Sequence, residues 1–139
     1  MYTAEQQKFQ YKCWTNLANI DRDIVAELAT IWDEADAIQD RFYRDLVFGT
    51  GGLSGVIGAG INRMNVYTVG KATQGYCNYL NVSDKNNSVC IAYDSRNKSK
   101  LFAETAAGIF AANDIKVYIY PELMPTPSLS FAVRYFHAN

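Results

Sequence analysis

Four glycines fall within the eight residues Phe48-Gly49-Thr50-Gly51-Gly52-Leu53-Ser54-Gly55, more than the interior of a helix or a strand accommodates. The backbone there must bend sharply or let something approach closely. Glycine permits positive φ and leaves its N–H groups unobstructed, which is what an anion such as phosphate requires of a loop. On glycine content alone a tight bend between two elements is the plainer reading, and a phosphate cradle is the alternative.

With 139 residues the chain has the size of one domain and can bury a hydrophobic core. Nearly half of it is hydrophobic (49%), which argues against disorder. Thirteen basic side chains against fourteen acidic ones provide no field that would draw nucleic acid or an anionic membrane, and no dense Lys/Arg run substitutes for one. Neither partner is expected. The three cysteines, Cys13, Cys77 and Cys90, form no C-x-x-C pair and have one histidine, His137, to join them, so a structural zinc site is not expected. They read as ordinary thiols in a reducing compartment. No apolar run has the length of a signal peptide core or a membrane helix, and the expected location is the cytoplasm.

Helical periodicity opens the chain. Ala4 to Leu17 reads as a short helix with Phe9, Cys13 and Leu17 inward. Asp21 is an N-cap candidate for a second helix, along which Ile24, Val25, Leu28, Ile31, Trp32, Ala35 and Ile38 trace one apolar stripe. Glu27, Asp33, Glu34 and Asp36 read as its solvated face, with no chemistry assigned. After the glycines, Val66 to Leu80 reads as a helix with Val69, Thr73, Tyr76 and Leu80 inward, and Asn81 to Asn87 as a polar loop. Ser88–Tyr93 and Ile115–Tyr120 read as short strands flanking a helix from Lys100 to Ala112 that carries Phe102, Ala106, Ile109 and Phe110 inward. That βαβ pattern predicts parallel strands in an α/β fold, a three-layer α/β/α sandwich. A last helix starts at Thr126-Pro127, with Leu129, Ala132, Val133 and Phe136 inward. In an α/β pattern it should lead to another strand, so the expectation is a chain cut short, with an uncovered edge and a tendency to self-associate.

Ligands of open α/β sheets bind beyond the carboxyl ends of the strands. Two loops qualify, Asp94-Ser95-Arg96-Asn97 and the segment from Pro121 to Thr126. Arg96 offers a planar fork suited to phosphate, and Asp94 could orient it or cap the following helix. Other templates fail. G-x-G-x-x-G is not completed, since Ser54 and Arg63 stand where the last glycine is needed; Gly70-Lys71 is not a Walker loop; and Ser54 lacks the second glycine of a nucleophile elbow.

Several segments in order carry a resemblance: Asp40 to Leu46, the glycine-rich run, Val56 to Asn65 with its Asn62-Arg63-Met64-Asn65, Tyr67 to Gly75, Ile91-Ala92-Tyr93-Asp94-Ser95-Arg96 and Met124-Pro125-Thr126-Pro127. Together they resemble the first domain of the α-D-phosphohexomutases, in the phosphoglucomutase-like branch with a helical N-terminal extension. The resemblance implies an extension over 1–45 and part of domain I over 46–139. It implies a four-domain enzyme in which a phosphoserine exchanges phosphoryl groups with a hexose 1- or 6-phosphate, with Mg²⁺ bound by the phosphoserine and an aspartate cluster, and glucose 1,6-bisphosphate as activator. The serine loop and metal ligands would lie beyond Asn139, so no catalytic or metal residue is expected here and the chain alone should be inactive. Thr50, Gly51, Gly52, Ser54, Arg63 and Arg96 are the implied phosphate-site candidates, and the remaining domains and a phosphosugar the implied partners. Glucose phosphate is the first substrate, with mannose, glucosamine and pentose phosphates open. One departure stands out: Ser54 occupies the place of a family arginine. The alternative function is a stand-alone phosphate-binding or interaction module without catalysis.

Overall fold

A computed structural model describes residues 1–16, 21–49, 52–83 and 87–139. They form two compact units, Met1–Thr68 and Val69–Asn139.

In the first unit, helix α1 (Ala4–Asn16) starts on a reciprocal cap. The Thr3 N–H donates to Gln6 Oε1 (2.9 Å) and the Gln6 N–H to Thr3 Oγ1 (3.3 Å). Helix α2 (Arg22–Thr30) is capped by Asp21 as expected, its side chain accepting the Asp23 N–H at 3.0 Å. The long apolar stripe does not stay on one helix. The chain turns after Ile31, whose N–H bonds Leu28 O, and starts α3 (Ala35–Phe42), which packs on α1. Ile24, Leu28, Ile31 and Ile38 are buried, but the turn leaves Trp32 70% exposed and Ala35 in solvent.

The face of α1 also differs from expectation. Phe9 is 65% exposed, while Gln7 and Trp14 are buried and Tyr11 packs beside them. Leu17 lies outside the described residues. Trp14 decides the face, because the indole brings the larger apolar area and meets Phe42 and Tyr67 edge-to-face at 6.0 and 5.8 Å. Gln7 can follow it inward because its Nε2 donates to Tyr2 O at 2.8 Å. The core then comprises Trp14, Ile24, Leu28, Ile31, Ile38, Phe42 and Ala59.

Strands β1 (Phe48–Gly49) and β2 (Gly52–Leu53) form a minimal antiparallel hairpin, pairing Phe48 with Leu53 and Gly49 with Gly52. Two glycines of the run, Gly49 and Gly52, are thus paired strand residues.

Helix α4 (Val66–Ser83) runs three residues past its expected end. It buries Val69, Thr73, Cys77 and Leu80; Cys77 takes the inward place assigned to Tyr76, which is 41% exposed. Residues 84–86 of the expected polar loop lie outside the described residues, and Asn87 is buried, its Nδ2 donating to Leu80 O at 2.8 Å. Strand β3 (Ser88–Ile91), helix α5 (Ser99–Ala112) and strand β4 (Lys116–Ile119) give the expected parallel pair, in register Ser88 to Lys116 through Ile91 to Ile119.

Alternation along the strands separates the two faces. Val89, Ile91 and Val117 pack with Cys77 and Leu80 of α4 and with Ile109 and Phe110 of α5. Tyr118, one position out of phase, stacks on Phe136 of α6 (Thr126–Phe136) with ring centroids 4.1 Å apart. Helices thus cover both sides of the pair, and the α/β reading holds. Helix α6 ends in a left-handed residue, His137 (φ 52°), and the Ala138 N–H bonds Val133 O at 2.9 Å. His137 is a helix terminator. Among its expected inward residues Ala132 is buried, Leu129 and Val133 are half-buried, and Phe136 is 41% exposed.

Candidate functional site

Strand β1 of the hairpin is exposed and β2 is half-buried. Val47, Phe48 and Val56 around it are each more than 60% accessible, and a Cβ built on Gly52 (φ +114°) would meet nothing within 4 Å. The space beside Gly52 is open. Thr50 and Gly51, the connection between the strands, lie outside the described residues. Ser54, one residue beyond β2, is exposed.

The two ends of the hairpin are held by one loop, residues 56–64. On the entering side the Leu46 N–H bonds Ile61 O at 3.0 Å; on the leaving side the Met64 N–H bonds Val56 O at 2.8 Å. The loop is tied down from α2 and α3. Glu27 Oε2 accepts the Ala59 N–H (2.9 Å), while its Oε1 accepts from Arg41 Nη2 (3.1 Å) and Nε (3.3 Å). Glu27, read from sequence as part of a solvated face, is instead half-buried and structural. Gly60 (φ +123°) is there because the chain presses on α3: a Cβ would lie 2.8 Å from both Arg41 Cβ and Arg41 O. Asn65 completes the tie. Its Nδ2 donates to Gly58 O (2.9 Å) and Gly60 O (3.0 Å), and its Oδ1 accepts the N–H groups of Tyr67 (3.1 Å) and Thr68 (3.0 Å), so the same side chain caps α4. Sequence reasoning passed over Asn65, although an asparagine directly before an apolar helical run is an N-cap signal.

Arg63 is 7% exposed. Nη2 pairs with the Asp40 carboxylate, and Nη1 donates to Asp40 O (3.3 Å) and Asn62 O (3.0 Å). These contacts make it an internal strut between the loop and α3, and its guanidinium is engaged there.

In the second unit, the loops leaving β3 and β4 are fastened to each other. Tyr93 Oη donates to Pro121 O (2.8 Å), and the Met124 N–H bonds Tyr93 O (3.0 Å). Beyond Tyr93, Asp94 both orients Arg96 and reaches the helix. Its Oδ1 accepts from Ser99 Oγ (2.8 Å) and the Arg96 N–H (3.1 Å), and its Oδ2 from Arg96 Nε (2.6 Å). The Ser99 hydroxyl, then the Arg96 N–H and side chain, hold the Asp94 carboxyl below the usual carboxylate range. Arg96 is 79% exposed and meets Asp94 through Nε, so the two terminal nitrogens of the fork are not used by that carboxylate. Burial pushes the Cys77 and Cys90 thiols up, which leaves them poor nucleophiles.

Among the described residues no three His, Cys, Asp or Glu side chains gather where a metal ion could be held, and no helix is long and apolar enough to cross a membrane.

Comparison with known proteins adds to this geometry. The family model for the phosphoglucomutase/phosphomannomutase alpha/beta/alpha domain I matches residues 45–139. The chain is 44% identical over 101 residues to a phosphoglucomutase of Staphylococcus epidermidis, covering 73% of this chain and 18% of that protein. It is 41% identical over 98 residues to one of Staphylococcus haemolyticus (70% and 18%), and 36% identical over 126 residues to one of Staphylococcus aureus (85% and 23%). The matched part thus spans about a fifth of the length of these relatives. No solved structure matches the chain.

Proposed function

Because the chain belongs to the phosphoglucomutase/phosphomannomutase family, matching its alpha/beta/alpha domain I over residues 45–139, we propose that it serves as the domain I part of an enzyme that interconverts hexose 1-phosphate and hexose 6-phosphate. A single observation carries the reading: the match sets in at residue 45, immediately before the open glycine hairpin, and runs on through the Asp94–Ser99 loop. In this proposal the chain divides into a helical extension, 1–45, and a domain I part, 46–139.

In this proposal the backbone N–H groups of Thr50, Gly51 and Gly52 meet a sugar phosphate, with Ser54 beside them as a neutral contact. In the second unit, Arg96 offers a cation that Asp94 keeps oriented. Arg63 contributes by holding the loop beneath the hairpin. The whole enzyme works in the cytoplasm through a phosphoserine, with glucose 1,6-bisphosphate as activator and glucose phosphate as the first substrate. Magnesium belongs to that whole enzyme; the described residues here do not form a ligand set for it, and no step of this chain runs through it. The other domains of the enzyme are the partners, and a second copy of this chain can bind through the exposed Phe131, Tyr135 and Phe136, which border an open cavity of about 550 Å³ between β4 and α6.

The test is a titration of the chain with glucose 1-phosphate, followed by amide NMR. Shifts confined to residues 48–54 or to 94–99 are expected. Ser54→Arg should tighten binding about tenfold, the worth of one charge-assisted contact. In a coupled assay with magnesium and glucose 1,6-bisphosphate the chain should not turn over. Absence of shifts at both segments would overturn the phosphate reading, and turnover that survives repurification would overturn the assignment of catalysis to other parts of the enzyme.

A further inference from the structure

The hairpin contributes two-residue strands and three glycines, too little to hold its own shape. Its position is set through residues 56–64: Leu46, two residues before it, bonds Ile61, and Val56, three residues after it, is held within that loop by Met64. That loop carries few apolar contacts of its own: Ala59 and Ile61 reach the core, while Val56 and Ile57 are exposed. Polar ties therefore decide its shape, and one side chain, Asn65, takes two of the loop's carbonyls, those of Gly58 and Gly60.

Asn65 is 5% exposed. Its amide nitrogen bonds the carbonyls of Gly58 and Gly60, and its carbonyl oxygen bonds the first free N–H groups of α4. Thr68 supports the arrangement by accepting the Asn65 N–H (3.1 Å) and donating to Arg63 O (2.7 Å). A primary amide is the group that can do this, because it offers two donors on one atom and an acceptor on the other. Aspartate, serine and threonine would cap α4 equally well and would leave both glycine carbonyls without a partner.

We propose that Asn65 is a positioning residue for the glycine hairpin: by joining the start of α4 to the carbonyls of Gly58 and Gly60 it fixes the loop on which both ends of the hairpin rest. Its importance for ligand binding rests on the phosphate reading given above. Its effect on the loop does not.

Asn65→Asp separates the two roles, retaining the acceptor and removing both donors. Amide hydrogen exchange in the complete 139-residue chain reads the result. The N–H groups of Leu46 and Met64 should exchange about tenfold faster or more, the effect of losing at least one hydrogen bond. Those of Tyr67 and Thr68, which report the cap, should keep their protection. A general loss of stability would instead speed all four together, and that outcome, or unchanged exchange at Leu46 and Met64, overturns the proposal. If the aspartate variant does not fold, Asn65→Ser makes the same separation with a neutral cap. A parallel titration with inorganic phosphate distinguishes the two readings. If phosphate shifts the hairpin amides of the parent chain and the variant loses those shifts, positioning extends to the ligand. If the parent itself shows none, the phosphate reading falls while the exchange result still decides the role of Asn65.

Discussion

Each unit has its own kind of interior. In Val69–Asn139 the interior is a layer of apolar side chains, Cys77, Leu80, Val89, Phe110 and Ile115, laid down at the spacings that helices and strands impose. In Met1–Thr68 an aromatic and aliphatic core under three short helices gives way to a loop fixed almost wholly by polar groups: Glu27, Arg41, Asp40, Arg63 and Asn65. In the first arrangement Gly75 and Gly108 have open space where a Cβ would stand, and Gly70 meets only the side-chain end of Ile109, at 3.2 Å. The second constrains Gly60 by a positive φ against Arg41 and Asn65 by the donors and acceptor that it must supply together.

The largest effect expected is in the core that supports the polar loop. Phe42 is completely buried and meets Tyr11 and Trp14 edge-to-face. Phe42→Ala should cost about 3–5 kcal/mol in denaturant unfolding. A loss below about 1 kcal/mol would mean that the cavity collapses and that this core is as plastic as a surface.

The glycines sharpen the contrast, because the same substitution should change sign between the units. Gly60→Ala forces a methyl group against the Arg41 backbone at positive φ and should cost about 1–3 kcal/mol. Gly108→Ala, inside α5 with nothing within 4 Å of the added Cβ, should stabilise by about 0.5–1 kcal/mol. Thermal melts of the two variants decide it, and equal shifts would erase the distinction drawn here.

The smallest effect is electrostatic. Asp94 is held ionised below the pH at which a free carboxylate, about 3.9, takes up its proton. Its favourable bonds to Ser99 and Arg96 are therefore complete at neutral pH, weaken below about pH 4, and are lost once the pH falls through the lowered folded value. Ser99→Ala removes the largest cause, so the Asp94 midpoint, followed by carboxyl carbon NMR, should rise toward the ordinary value. An unmoved midpoint would show that the serine is a bystander.

Periodicity made the second unit legible. The parallel strands, α5 and the α/β class follow from apolar spacing, and the error at Tyr76 arose because a tyrosine can lie flat on a surface while a small thiol one position on fills the interior. The first unit was legible where a local rule applies, as at the Asp21 cap, and misread where tertiary packing chose between two acceptable faces. Phe9 and Trp14 lie on different sides of α1, and only the presence of Phe42 and Tyr67 decides which goes inward. The break after Ile31 leaves no mark in a stripe whose spacing stays helical. For the candidate site, the glycine segment and the Asp94–Arg96 pair were visible as residue types. What lies beneath the hairpin was not: Glu27 reaches Ala59 across 32 positions, and no pattern in the sequence joins them.

Anchoring both ends of the hairpin also has an entropic consequence. Fixing a residue's backbone costs about 1–2 kcal/mol in conformational entropy at room temperature. For Leu46, Val56 and the loop to Asn65 that cost is met when the chain folds, through bonds that exist without any ligand. Under the proposed phosphate reading, a ligand at the hairpin would meet a segment whose flanks are already fixed. More of the contact energy then remains as affinity than an untethered glycine loop of the same composition would leave.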